Sequence, residues 1–141
     1  MSRILAIDYG EKRVGLAVSD PLKLIATPLD TLKVSSEKAL FEDLLKLIEK
    51  WDIHQILVGY PLGLKGNKTQ QTQKVDQFVA ALKKYVPLPI ILWDERFTST
   101  EAETILHQKG VKPSKNKDLI DQMSARIILQ EYLDYGMKDE K

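Results

Sequence analysis

Three short runs of consecutive apolar residues constrain this chain more than any other feature: Ile4-Leu5-Ala6-Ile7, Ile56-Leu57-Val58 and Ile90-Ile91-Leu92-Trp93. A strand with one wet face alternates apolar and polar residues, so an unbroken run predicts a strand buried on both faces, as in a parallel sheet flanked by helices. The segments between the runs agree. Leu40, Phe41, Leu44, Leu45, Ile48 and Trp51 recur at helical spacing, with Ser35 or Ser36 before them as N-cap, and Val75, Phe78, Val79, Leu82 and Val86 form a second stripe. Directly after the first run, across the turn Tyr9-Gly10-Glu11-Lys12, Val14, Leu16 and Val18 alternate with smaller or polar residues. That pattern predicts an antiparallel partner, followed by a weaker third strand around residues 29–34. Beyond the last run, Thr98 and Glu101 have capping-box spacing for a short helix stopping at Gly110, and a final helix is expected over about residues 118–135, with a frayed tail at 138–141. Trp51 and Trp93 read as core residues.

The expected fold class is therefore α/β, a mixed five-stranded sheet flanked by helices. At 141 residues the chain suits one compact domain over 1–141, and no repeat, linker or low-complexity segment divides it. Right-handed crossovers would make the three apolar runs parallel, so their C-terminal ends share one edge of the sheet. Asp8, Gly59 and Asp94-Glu95 meet there.

Charge and cysteine content narrow the function classes. Lys and Arg number 21 against 20 Asp and Glu, so any basic surface for nucleic acid has to be local. There is no cysteine, which removes disulfides, thiolate chemistry and the usual structural zinc sites and fits a reducing compartment, the cytoplasm by expectation. Asp8 follows the first apolar run too early for a signal peptide, and no later run approaches the roughly 20 residues of a membrane-spanning helix. A soluble protein with no membrane partner is expected.

Asp8 ends a strand that otherwise reads as buried, and a carboxylate there is costly unless paired, hydrogen-bonded or bound to a cation. Asp94 or Glu95 arrives at the same edge from another strand; successive strand residues point to opposite faces, and the apolar run before them does not say which one turns toward Asp8. A third acid comes from the last helix, where Asp121, Ser124, Ala125, Ile128 and Tyr132 share one stripe, and where small Ser124 and Ala125 would let the helix approach the sheet closely. Carboxylates without cysteine, and with His54 and His107 far apart, select hard cations bound through oxygen, Mg2+ or Mn2+ rather than zinc. Such ions activate a water and steady the leaving oxygen of a phosphodiester. Taken singly, each acid also has an ordinary explanation: a turn-bound strand end, a solvated loop, a helix-start carboxylate favoured by the dipole. Their convergence on one edge favours chemistry.

The residues Asp8-Tyr9-Gly10 with Arg13, Gly15 and Ala17, then Val58-Gly59-Tyr60-Pro61-Leu62 with Gly66, then Asp94-Glu95-Arg96-Phe97-Thr98, then Asp121 with Ala125 and Ile128-Leu129-Gln130, resemble the YqgF/RuvX family over nearly the whole chain. Ser124 stands where that family usually has alanine, and Tyr60 where leucine is common. The resemblance implies a ribonuclease-H-like fold related to Holliday-junction resolvases and a cytoplasmic nuclease processing the 5′ end of pre-16S ribosomal RNA. By motif position it implies Asp8, Glu95 and Asp121 as catalytic and metal-binding residues. Arg13, Lys65, Lys68, Arg96, Lys109, Lys112, Lys115 and Lys117 are the expected contacts to nucleic acid, RNA before DNA, with ribosome precursors as the wider partner.

Three other functions are open to this sequence. A junction resolvase would use the same chemistry on branched DNA and usually needs a dimer. An actin-like ATPase or sugar kinase shares an Asp-x-Gly hairpin, but those enzymes close a nucleotide between two such domains and this length supplies one. A non-catalytic module would hold RNA or protein on the sheet edge and the lysine loops.

Overall fold

The computed structural model describes residues 2–63, 65–94 and 117–136, with side chains in the last segment from Met123 onward. The elements are β1 (Arg3–Tyr9), β2 (Arg13–Ser19), β3 (Ala26–Lys33), α1 (Glu37–Lys50), β4 (Ile53–Tyr60), α2 (Gln70–Tyr85), β5 (Ile90–Asp94) and α3 (Lys117–Glu131), which ends in a π-helical turn, Tyr132–Gly136. Among the described residues the sheet has five strands in the order β3-β2-β1-β4-β5. β1 pairs antiparallel with β2 and parallel with β4, and β4 pairs parallel with β5. The expected mixed sheet is thus present. The short helix expected over 98–110, and the loop after it, lie outside the described residues.

Both faces of the sheet are covered, and the two coverings differ. Leu5, Ile7, Val14, Leu16, Ile56 and Val58 point into a large core under α1 and α2, with Phe41, Leu44, Phe78 and Leu82. Ile4, Ala6, Ala17, Ala26 and Leu57 point the other way, onto Ala125, Ile128, Leu129 and Tyr132 of α3 and its π turn. Small residues stand on both sides of the second interface, Ala6, Ala17 and Ala26 on the strands and Ala125 on α3, beside the larger Ile128, Leu129 and Tyr132. Ser124 and Ala125 are buried there, as their spacing predicted. Gln130 fastens α3 to the β2–β3 loop: its Oε1 accepts from Ala26 N–H at 2.9 Å while its Nε2 donates to the Leu24 carbonyl at 3.0 Å. Inside that loop the Asp20 carboxylate accepts from the N–H groups of Ile25 and Leu24, which holds its pKa below the usual range.

Local signals set the helix starts. Ser36 caps α1 through its side chain on Ala39 N–H, and Thr69 caps α2 in a reciprocal box with Thr72.

The structure corrects four expectations. β3 begins at Ala26, three residues before the expected start, because Ser19 pairs with Ala26 and the ladder continues to Arg13 with Lys33 despite a mostly polar outer face. It is an edge strand, where Pro28 is tolerated. β5, expected to be buried on both faces, is the opposite edge, and Leu92 is 43% exposed. An apolar run reports low polarity, not the number of neighbours a strand has. Leu45 leaves the α1 stripe and is exposed, Leu47 packing in its stead. Trp51 and Trp93 are only partly buried: Trp51 is the C-cap of α1 beneath Arg3 and Lys50, and Trp93 meets Tyr132 edge-on at 5.6 Å.

Candidate active site

Asp8 is the last residue but one of β1 and follows Ile4 and Ala6 in the alternation that faces α3. It is half-buried. Its partner across β2 is Gly15, and on the other side Ile7 pairs with Val58, so Gly59 comes next along β4. Both neighbours of Asp8 on this face therefore lack side chains.

The pairing of β5 shows which way Asp94 faces. Val58 pairs with Leu92 and Tyr60 with Asp94. Val58 and Tyr60 belong to the core under α1 and α2, and Ile91 and Trp93 pack with α3. Trp93 Nε1 also donates to Glu131 at 3.4 Å. Leu92 and Asp94 accordingly face α1 and α2, and Asp94 points away from the face that carries Asp8.

The other expected site residues are distributed unevenly. Glu95, Arg96, Lys109, Lys112 and Lys115 lie outside the described residues, and Asp121 and Lys117 are described only as backbone positions of α3, whose buried face carries Ser124 and Ala125 two turns into the helix. Among the described residues no three His, Cys, Asp or Glu side chains gather as a metal group. His54 stands near the start of β4, at the far end of the strand from Gly59, and pairs with Asp52 at 3.5 Å. Arg13 opens β2 and lines a hollow of about 310 Å³ with Gly10, Glu11, Lys12 and Gln71. Lys65 is exposed in the turn after β4. Lys68 is engaged by Asp76 at 3.2 Å, and Asp76 also accepts from the Tyr60 hydroxyl at 2.9 Å; hydrogen bonds to Asp76 and Tyr60 hold the Lys68 pKa above its ordinary value. A phosphate at Lys68 competes with that carboxylate. The Tyr60, Lys68 and Asp76 cluster has no signature in sequence, since Asp76 reaches it only through the docking of α2.

Two further features of the β1–β2 turn escape sequence reasoning. Gln71 donates to the Tyr9 carbonyl at 3.0 Å, tying α2 to the residue after Asp8. The Tyr9 phenol has its pKa raised by burial first, then by the carboxylates of Glu11 and Glu37. Gly10 has no room for a side chain, because a Cβ would sit 2.6 Å from the Arg13 carbonyl oxygen. Gly10→Ala is expected to cost about 1–3 kcal/mol in urea unfolding by forcing that turn open. An unchanged midpoint would show that the turn has slack.

A family model described as "RuvX: Holliday junction resolvase" matches residues 2–135. The chain belongs to the RuvX family. A relative from Dictyoglomus turgidum, named "Putative pre-16S rRNA nuclease", is 42% identical over 139 residues, spanning 99% of each chain. One of the same name from Thermoanaerobacter pseudethanolicus is 43% identical over 133 residues, 94% of this chain and 96% of its own. Among solved structures, Thermus thermophilus RuvC in complex with a Holliday-junction substrate superposes with a TM-score of 0.60 at 16% identity, over 97% of this chain and 96% of that one. The yeast mitochondrial Holliday junction resolvase Ydc2 gives 0.61 at 16% identity, over 99% of this chain and 80% of that one. The RuvX chain described here thus has the ribonuclease-H-like fold of these resolvases, as its motifs implied.

Proposed function

We propose that this RuvX protein is a metal-dependent nuclease that hydrolyses nucleic-acid phosphodiesters, with the 5′ region of pre-16S ribosomal RNA as its substrate. The observation that carries the reading is Asp8, held at the end of a central strand between Gly15 and Gly59 on the face covered by α3. The donor set fits a hard cation: carboxylate oxygen at this edge, no cysteine anywhere, and His54 at the far end of its strand. Asp8, Glu95 and Asp121 would hold Mg2+ or Mn2+, whose charge activates the attacking water and offsets that of the phosphate. Asp94 faces away from Asp8, so the alternation of β5 supports Glu95 as the acid contributed from this strand. Asp121, one turn before Ser124 and Ala125 on the helix, is assigned to the same edge by that stripe. Gly15 and Gly59 add no side chain at the strand positions beside Asp8, while Arg13 beside the turn contributes positive charge for a neighbouring phosphate. Among the described residues no helix is long and apolar enough to cross a membrane. The names of its relatives, pre-16S rRNA nucleases, support ribosome precursors as the wider partner and the cytoplasm as the place of action.

The experiment is to incubate the protein with Mg2+ or Mn2+ and, in parallel, single-stranded RNA, a pre-16S 5′ leader and a four-way DNA junction, and to map the products. Cleavage of the leader at a defined position is expected. Symmetric cuts in the junction alone would make the protein a resolvase, the activity named for its structural neighbours. No cleavage of any substrate would leave a binding module.

The lysines that follow the third apolar run are assigned to phosphate contacts. Neutralising Lys109, Lys112, Lys115 and Lys117 together is expected to weaken binding and flatten its salt dependence, each lost contact removing roughly 0.7–0.9 from the log–log slope. An unchanged slope would make them ordinary surface residues.

A further inference from the structure

The turn after Asp8 separates two hollows that share Glu11 as a wall. One is the basic depression at Lys12 and Arg13. The other is a cleft of about 390 Å³ between the end of β1, the start of α1 and α2, within the size range of about 300–1,000 Å³ typical of small-molecule sites. Its inner wall is the half-buried Tyr9 ring, backed by Phe78 with ring centroids 4.4 Å apart and planes at 18°; Phe78 is 5% exposed and lies between Tyr9 and Phe41, so Tyr9 is the ring within reach of a base. Its rim is polar, with Glu37 from the first turn of α1, and Lys74 and Gln77 from α2. Lys74 is held by an ion pair to Glu11. Val34 and Leu40 complete an apolar floor.

An aromatic wall beside a basic depression is the pattern of a single-stranded nucleotide site, with stacking for the base and cations for the phosphate. The rim narrows the choice of base. A carboxylate only accepts hydrogen bonds and an ammonium only donates. Guanine alone presents two adjacent donors, N1–H and the N2 amino group, on one edge, together with the acceptors O6 and N7 on the next, the latter pair being a familiar target of lysine. Glu37 and Lys74 supply the complement to those two edges. Adenine offers an acceptor beside its amino group, which a carboxylate opposes, and uracil offers a single donor between two acceptors.

We propose that this cleft is a nucleotide subsite selecting a guanine base of the substrate strand, its phosphate lying in the neighbouring Lys12–Arg13 hollow. The inference rests on the nuclease reading, and deepens it by giving the enzyme a sequence preference close to the cut. Asp8 and Tyr9 are consecutive residues on opposite faces of β1, so a strand crossing the sheet edge passes from one site to the other within a nucleotide or two.

The test uses the four free nucleoside 5′-monophosphates, titrated in EDTA into the full-length protein by calorimetry and by NMR of the Tyr9 and Phe78 ring protons. GMP is expected to bind about tenfold or more tightly than AMP, CMP or UMP and to shift both rings, and Glu37→Gln and Lys74→Met are each expected to remove most of that preference. Equal affinities, or no ring shift at millimolar nucleotide, would overturn the proposal. GMP selectivity without cleavage of any nucleic acid would remove the nuclease reading and keep the subsite. Cleavage without GMP selectivity would do the reverse.

Discussion

Asp8→Asn is expected to abolish cleavage, by roughly 10³-fold or more, since a metal's charge stabilisation is worth several kcal/mol and each 1.36 kcal/mol is a factor of ten in rate. The fold should survive. Asp8 is half-buried at a strand end, and asparagine has its shape and still satisfies most hydrogen bonds a carboxylate accepts, so unfolding in EDTA should move by no more than about 0.5 kcal/mol, in either direction. The two proteins should separate when Mn2+ is added: a bound ion stabilises the native state by about 2.7 kcal/mol at a hundred times its Kd, and the variant should gain little of this. Thermal unfolding with and without Mn2+, alongside a nuclease assay, measures both. Retained cleavage would sink the assignment of Asp8, and a variant that unfolds in EDTA would make its role structural.

Glu95→Gln should match that loss, whereas Asp94→Asn should reduce activity by no more than about the 10- to 100-fold typical of groups that act through a ligand's surroundings. The asymmetry follows from β5. Trp93 meets Tyr132 and Glu131 on the α3 side, and Asp94, paired with Tyr60, faces α1 and α2, away from the face of Asp8. Both variants are read by cleavage and by Mn2+-dependent stabilisation. Loss of metal binding in Asp94→Asn alone would mean that the acid from this strand has been assigned wrongly by one residue.

Much of this was legible in the chain itself. The unbroken runs at residues 4–7 and 56–58, with amphipathic stripes between them, pointed to a parallel arrangement of central strands covered by helices, because strands with helices on both faces read as near-continuous apolar runs. Ser35 or Ser36 marked the first helix start, since a serine there offers an oxygen to an N–H that the helix itself cannot satisfy, whereas the Thr69 cap of the second helix emerged only in the structure. Small Ser124 and Ala125 on one stripe announced the close approach of α3, and Asp8 stood out as a carboxylate where a core residue was expected. What the chain could not disclose depended on which strand neighbours which. The apolar run at residues 90–93 looked the same as the others, yet among the described residues β5 has a strand on only one side and leaves Leu92 exposed. The same uniformity concealed which way Asp94 turns, because a strand that is apolar on both faces carries no period of two; only the packing of Trp93 against α3 distinguished its faces. The cleft at Tyr9 depends on tertiary structure altogether. Glu37, Lys74 and Phe78 come from two helices distant in sequence from Tyr9, and a binding site made of side chains from separate elements exists only once hydrophobic burial has docked those elements on the sheet.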